Sequence, residues 1–410
     1  MTPQQATRDQ AEALMARFAP RMGRAYATGR NFDHGPGAHR NVSGLSPHIR
    51  RRLLLERDLV ATALIHHGHE GAAKFIQEVI WRSYFKGWLE LRPDIWASYR
   101  DGLTADLAGL EHDPALAARV AAAEAGATGL ACFDAWTAEL RETGYLHNHA
   151  RMWFASIWIF TLGLPWRIGA DFFLRHLLDG DPASNTLGWR WVAGLHTRGK
   201  TYRAEAWNIA KFTANRFAPD PSDLAAEAAA LAEREEPGGL PPVRPLRAPL
   251  YPATGTPTAL LITEEDCRVE DFLPSALELR GVGRLHASHL RSPRPVAGAV
   301  AAFDAAALDD AARRAERVTG LAAEGLQAGT PGDLAGWAAD LGARQIATPY
   351  IPEGPLRDWI RAAEPALAAR GITLLEWRRD WDSAIWPLAT AGFFKVKARI
   401  PRILDQAGLT

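Results

Sequence analysis

HNHARM (147–152) and LLDGDPASNTLGWRW (177–191) are the two segments whose reading decides the fold. Both sit in helical stretches broken by Gly144, Pro165 and Gly180. Asn148 and Arg151 lie three apart, so a helix sets them on one face. Asp179 and Asp181 flank Gly180, Asn185 follows, and Trp166 and Trp189 stand close by. Two carboxylates beside an Arg can stay ionised inside a protein. The set suits a large, flat, redox-active ring with polar groups along one edge and aromatic side chains to carry electrons. The plainer alternative is a DGD turn that stops a helix, with core Trp beside it.

Outward from there, residues 1–218 read as helical. Pro47 opens the run HIRRRLLLERDLVATALIHHG (48–68), with Pro near the first turn of the helix. GAAKFIQEVIWRSYFKGWLEL (71–91) is a second helix, and 133–143, 149–163 and 167–178 are further ones. NVSGLSP (41–47) sets small hydroxyls and a Gly before a helix, an arrangement that favours anions or simply caps the helix. In QEVIWR (77–82), Glu78, Trp81 and Arg82 share a helix face at i, i+3 and i+4. An aromatic plate beside a carboxylate and an Arg can stack a base; an amphipathic helix with a core Trp has the same pattern.

The 410 residues exceed one comfortable core, which predicts two domains. Net charge is zero, but residues 1–218 hold 26 Lys and Arg against 21 Asp and Glu. The remainder is correspondingly acidic, so the first half is the better surface for nucleic acid. Two distant cysteines, Cys132 and Cys267, exclude a disulfide framework. The start, MTPQQATRDQ, lacks a signal-peptide layout, and no apolar run is long enough to span a bilayer. A cytoplasmic protein without a membrane partner is expected. Ten of the fifteen Trp fall before residue 218, more than helix packing alone calls for.

Residues 219–257 are rich in Pro, Ala and Glu and read as a short exposed helix followed by an extended linker. Residues 258–410 alternate apolar runs with Ala-rich segments. ALLIT (259–263), VAGAVAAF (296–303), RQIATP (344–349) and TLLEW (373–377) are expected strands. Residues 306–318, 331–341 and 354–370 are expected helices. The alternation predicts a Rossmann-like parallel α/β domain after the helical one, although no phosphate-binding Gly motif announces a ligand.

The ordered series NVSGLSP, QEVIWR, LHNHARM, PW and LLDGDPASNTLGWRW closely resembles the FAD-binding helical domain of photolyases and cryptochromes over roughly residues 20–218. The resemblance implies FAD as cofactor and UV-damaged DNA as partner. It implies phosphate contacts from Ser43 and Ser46 with Leu45 between them, although Val42 replaces a common Thr. It places Glu78 and Trp81 on a pyrimidine dimer, with Glu78 as a buried hydrogen-bonding acid, and Arg82 on the FAD side. Asn148 is shared between flavin and lesion, Met152 lines the lesion pocket, and His149 stands where dimer-repairing members often have Arg. Arg151 and Asp179 form the ion pair at the flavin N5 and O4 edge, Asp181 faces the pyrimidine edge, and Asn185 faces N5. Trp189 and Trp166 are the inner and middle members of an electron path. The outer Trp falls near Asp113, which leaves Tyr99, Trp136, Trp153 or Trp158 to substitute. Tyr145 also replaces a common Trp.

The resemblance implies a deoxyribodipyrimidine photolyase-like lyase acting by light-driven electron transfer, with lesions in single strands the easier to extract. DGD and HNxxRM favour the cyclobutane dimer over the (6-4) product. A blue-light flavin photoreceptor without repair is the alternative. LLITEEDCRVEDF (260–272) and GFFKVKARIP (392–401) are similar to parts of the family's antenna domain, which implies a swapped domain order; no second chromophore is specified.

Overall fold

The computed structural model describes residues 5–273 and 276–409; residues 1–4 of the N-terminal stretch read above lie outside them. The helical half runs α1 (Arg8–Phe18), α2 (Arg24–Gly29), α3 (Ser46–Arg50), α4 (Glu56–Glu90), α5 (Pro93–His112) and α6 (Pro114–Ala125). It continues with α7 (Ala131–Thr143), α8 (Asn148–Ser156), α9 (Trp166–His176), α10 (Pro182–Val192) and α11 (Ala206–Phe212). A π-helical turn, Ile157–Thr161, extends α8.

The helix expected over 48–68 is interrupted. Pro47 does open α3, but α3 stops at Arg50, and Arg52 takes a left-handed φ of 52°. The cause is the run Arg50–Arg52, whose three buried guanidinium groups must diverge to separate acids of the other half. Arg50 binds Glu265 through two hydrogen bonds of 2.9 and 2.6 Å. Arg51 pairs with Asp304, and Arg52 reaches Asp382 at 2.6 Å. A continuous helix would send the three around its circumference. Buried pairs of this kind fix how two surfaces dock more than they add stability. Beyond the break, α4 runs through a kink at Gly68 (φ 62°), joining the two helices expected on either side of it.

After a segment whose one short α-helix is α12 (Ala232–Glu235), the α/β half begins. It comprises β1 (Pro257–Ile262), β2 (Glu278–His286), α13 (Gly298–Thr319), β3 (Ala323–Gln327), α14 (Pro331–Asp340), β4 (Gln345–Pro349), α15 (Pro355–Ala369) and β5 (Thr373–Trp377). All pairings are parallel, in the order β3-β2-β1-β4-β5, so the expected Rossmann-like sheet is present. One expected strand is overturned: 296–303 opens α13. Val300, Phe303, Ala307, Leu308 and Ala311 recur at helical spacing and form its buried stripe. The strand that takes its place, β2, carries two glycines that disguise it. A Cβ on Gly283 would lie 2.7 Å from Leu326 and 2.8 Å from Trp337.

Three short helices close the chain: α16 (Asp380–Ile385), α17 (Phe394–Lys397) and α18 (Ile400–Gln406). They leave the sheet and enter the helical core, where Trp381, Ile385, Trp386, Phe393, Val396, Ile403 and Leu404 are buried. Gly87 admits them, because a Cβ there would meet the Trp386 backbone at 2.6 Å. Trp381 Nε1 donates to Ser83 Oγ of α4 at 2.9 Å. The described residues after 257 thus build a sheet and also part of the helical core. Among the described residues no helix is long and apolar enough to cross a membrane.

Candidate functional site

Residues of three elements, α4, α8 and the 177–185 segment, meet around Asp179. Glu78, Trp81 and Arg82 share about a quarter-turn of α4, while α8 brings Asn148, Arg151 and Met152, and the 177–185 segment brings the two acids and Asn185. Arg151 Nη2 lies 3.0 Å from both oxygens of Asp179, and its Nε donates to Leu146 O at 2.8 Å. Burial works against a charge on Asp179, but Arg151, the Ser46 hydroxyl and Arg82 outweigh it and hold the carboxyl below the ordinary range. Asp181 caps α10, accepting Ser184 N–H at 2.8 Å. Burial opposes its charge too. Lys86, at 2.9 Å, and Arg50 and Arg82 hold it ionised far below the usual carboxylate range. Arg82 thus acts on both acids. Its Nη1 is buried without a protein partner, a donor left over for a ligand oxygen.

Asn185 is buried, and its Nδ2 donates to Ala170 O at 2.8 Å, which fixes the amide's direction. Asn148 is exposed, while Met152 is half-buried one turn further along α8. Glu78 is 29% exposed, not the buried acid expected, and sits 2.8 Å from Lys74 and 3.8 Å from Arg30. The two hydroxyls expected to work together part company. Ser46 joins the Asp179 cluster, whereas Ser43 lines a groove of about 1200 Å³ between α1, the 37–44 loop and α13. Leu45, between them, is fully buried core.

Residues 75–220, which carry nearly all of this cluster, match the family model described as the FAD binding domain of DNA photolyase. This segment of the chain is thus similar to the FAD-binding part of photolyases. The deoxyribodipyrimidine photo-lyase of Streptomyces griseus is 38% identical over 159 residues, which are 38% of this chain and 33% of that protein. That of Vibrio cholerae is 32% identical over 208 residues, 49% of this chain and 42% of that one. The chain therefore spans about a third to two fifths of the length of these relatives. A class III photolyase structure from Agrobacterium tumefaciens overlaps 51% of this chain and 43% of its own at 25% identity, with a TM-score of 0.39.

Two residues of the photolyase-like segment are more enclosed than their expected roles require. Trp81 lies face to face with Phe393, ring centroids 3.8 Å apart and planes 14° from parallel, with Tyr84 edge-on at 5.3 Å. His149 stacks on Trp153 at 4.1 Å, and both its ring nitrogens have partners, Asn31 O and the Tyr202 hydroxyl. Burial lowers its pKa.

Several aromatic side chains pack around α9 and α10. Trp189 lies 5.2 Å from Phe173 and 6.3 Å from Trp158. Trp166 lies 6.0 Å from Tyr99. Neither Trp166 nor Trp189 has a partner for its indole N–H. Trp136 and Trp153 stack on each other at 5.4 Å beside His149.

Ionised acids at fixed positions, a spare buried Arg donor and buried aromatic faces are the groups a flavin's polar edge and rings need. The residues present fit FAD. Sequence reasoning missed Lys86, Arg50 and Glu265, which complete the Asp181 network. Lys86 follows Glu78 and Arg82 at helical spacing, a signal legible in the sequence; Arg50 and Glu265 meet only through the tertiary fold. It also missed Phe393.

Proposed function

We propose that this protein is a flavin-dependent, light-driven DNA-repair lyase that splits cyclobutane pyrimidine dimers. The carrying observation is the cluster Arg151–Asp179–Ser46, Arg82 and Asp181–Lys86, while Asn148 is exposed and Glu78 and Met152 half-buried. Bound FAD would supply the light-excited electron donor. The chain's own residues would do the rest. Arg82 would donate its spare Nη1 hydrogen to the cofactor, and Asp179 and Asp181 would accept from its N–H groups. Asn185, its direction fixed by Ala170, would present its carbonyl toward the ring. A dimer cannot be reached inside stacked DNA and would be flipped out, at lower cost from a single strand. Glu78 would accept hydrogen bonds from the base edge, with Lys74 and Arg30 beside it to meet phosphate. Asn148 would bridge lesion and cofactor.

A photoreceptor without repair is the second reading, and one observation favours it: Phe393 occupies a face of Trp81 that a stacked base would use. Incubating FAD-loaded protein with a dimer-containing oligonucleotide, reductant and blue light separates the two. Light-dependent loss of dimers, much reduced in Glu78→Ala with FAD still bound, is the expected result. Undiminished dimers in single and double strands would leave the photoreceptor reading standing.

A further inference from the structure

We propose that the outer face of the C-terminal stretch 389–402 binds undamaged single-stranded DNA, with a base stacked on Phe394 and the backbone held by Lys395, Lys397, Arg399 and Arg402. The surface needs neither flavin nor lesion. Only the choice of DNA as the polynucleotide rests on the repair reading above.

Burial along this stretch has helical spacing. Phe393, Val396, Ile403 and Leu404 are buried and Ile400 is half-buried, so one stripe of α17 and α18 belongs to the helical core. Phe394, Lys395, Lys397, Arg399 and Arg402 fall between those positions, and all five are exposed. Residues 389–402 hold four cations and no acid, in a half of the chain that is acidic as a whole. Among the described residues, none of the four cations has an ion pair. Lys395 Nζ donates to the Thr390 hydroxyl at 2.7 Å, which leaves its charge unopposed. Asp382, the last acid before the stretch, is buried and bound to Arg52, and Asp405 is the first acid after it. The contrast with Arg50–Arg52, each paired with an acid, marks this face as one whose charges are turned to solvent.

The ring among these cations is also unusual. Phe394 is 81% exposed, against 61% for Trp207 and 60% for Tyr251. A single exposed apolar side chain is ordinary. An exposed ring with unpaired cations on the same outer face offers what a single strand needs, a plate for a base and charge for its phosphates. An anionic membrane surface needs the apolar stripe turned outward, whereas here it packs in the core. Position supplies the link to the candidate site. Phe393, the preceding residue, lies face to face with Trp81, which is one helical turn from Glu78. A strand stacked on Phe394 is therefore held beside the position where a flipped base would meet Glu78.

The test is fluorescence anisotropy of labelled, undamaged oligo(dT) with the full chain, with FAD added or omitted. The parent is expected to bind in both cases. Phe394→Ala should weaken binding at least about fivefold, the lower end of what one stacked base contributes, and Phe394→Trp should retain it. Lys397→Ala with Arg399→Ala should lower the slope of log affinity against log salt by about 1.4, which a merely structural role would not do. All three side chains are exposed, so the fold should hold, and thermal melting checks that. Equal affinity in Phe394→Ala, an unchanged salt slope, or tighter binding of oligo(rU) would overturn the proposal. So would a parent that binds phosphatidylserine vesicles and not oligo(dT). The flavin reading would survive each of these results, because light-driven loss of dimers tests it separately.

Discussion

Neighbouring positions on α4 differ in what they leave open. On the cofactor side, Arg82 and Lys86 face acids whose charges are already fixed, and the Arg82 Nη1 has no protein partner. On the aromatic side, Trp81 is covered by Phe393 from the chain's own C-terminal segment. A site whose polar groups are pre-arranged for a ligand sits against an aromatic plate that the protein itself occupies. The lesson is that the electrostatics of a binding site and access to it are set by separate parts of the chain. Residues of 46–86 and 147–185, with Glu265, govern the first and the 380–409 region the second.

The largest effect should come from the cofactor side. Arg151→Met leaves Asp179 buried without its closest cation, which should cost about 3–5 kcal/mol of stability and most FAD occupancy. Denaturant unfolding and flavin absorbance read both. If the variant held FAD as well as the parent, the ion pair would have no part in the site.

On the aromatic side, Phe393→Ala should lower stability by about 3 kcal/mol through the cavity it leaves. A double-mutant cycle with Trp81→Phe should give a coupling of about 1 kcal/mol. Additive losses would mean that the stacked pair has no energetic substance. The comparison is sharpened if Phe393→Ala also tightens binding of a dimer-containing oligonucleotide.

Glu90, one turn beyond Lys86 on α4, gives a third environment. Its oxygens accept Tyr350 O–H and Glu353 N–H, each at 2.6 Å. Burial, and after it the neighbouring Glu353, push its pKa up to about 7. The folded state then holds a proton that the unfolded chain has released, so stability falls as pH rises from about 4.5 to about 7. The contribution is about 3 kcal/mol, and Glu90→Gln should flatten that part of the profile. Asp181, held ionised, works in the opposite direction, giving stability that is lost as pH falls below the ordinary carboxylate range. An unchanged profile in Glu90→Gln would refute the assignment. The smallest effect belongs to Lys74→Ala, whose partly exposed pair with Glu78 should be worth less than about 1 kcal/mol.

Local pattern made much of this readable in advance. The Asp179–Arg151 pair is what the resemblance of HNHARM and LLDGDPASN implies, and the parallel sheet follows from alternating apolar runs. What escaped was non-local or disguised. The Arg50–Arg52 run looks like an exposed helical stretch until its three acids arrive from across the chain. Strand β2 hides behind two glycines that it needs for close packing, and an Ala-rich start made α13 resemble a strand. Phe393 lies more than 300 residues from Trp81, and no periodicity links them.

The account stands most directly on the cofactor. Titrating protein with FAD and measuring flavin bound per chain, in the parent and in Asp179→Asn, tests it. One flavin per chain in the parent and a marked loss in the variant is the predicted result. A parent that stays colourless in excess FAD would contradict it.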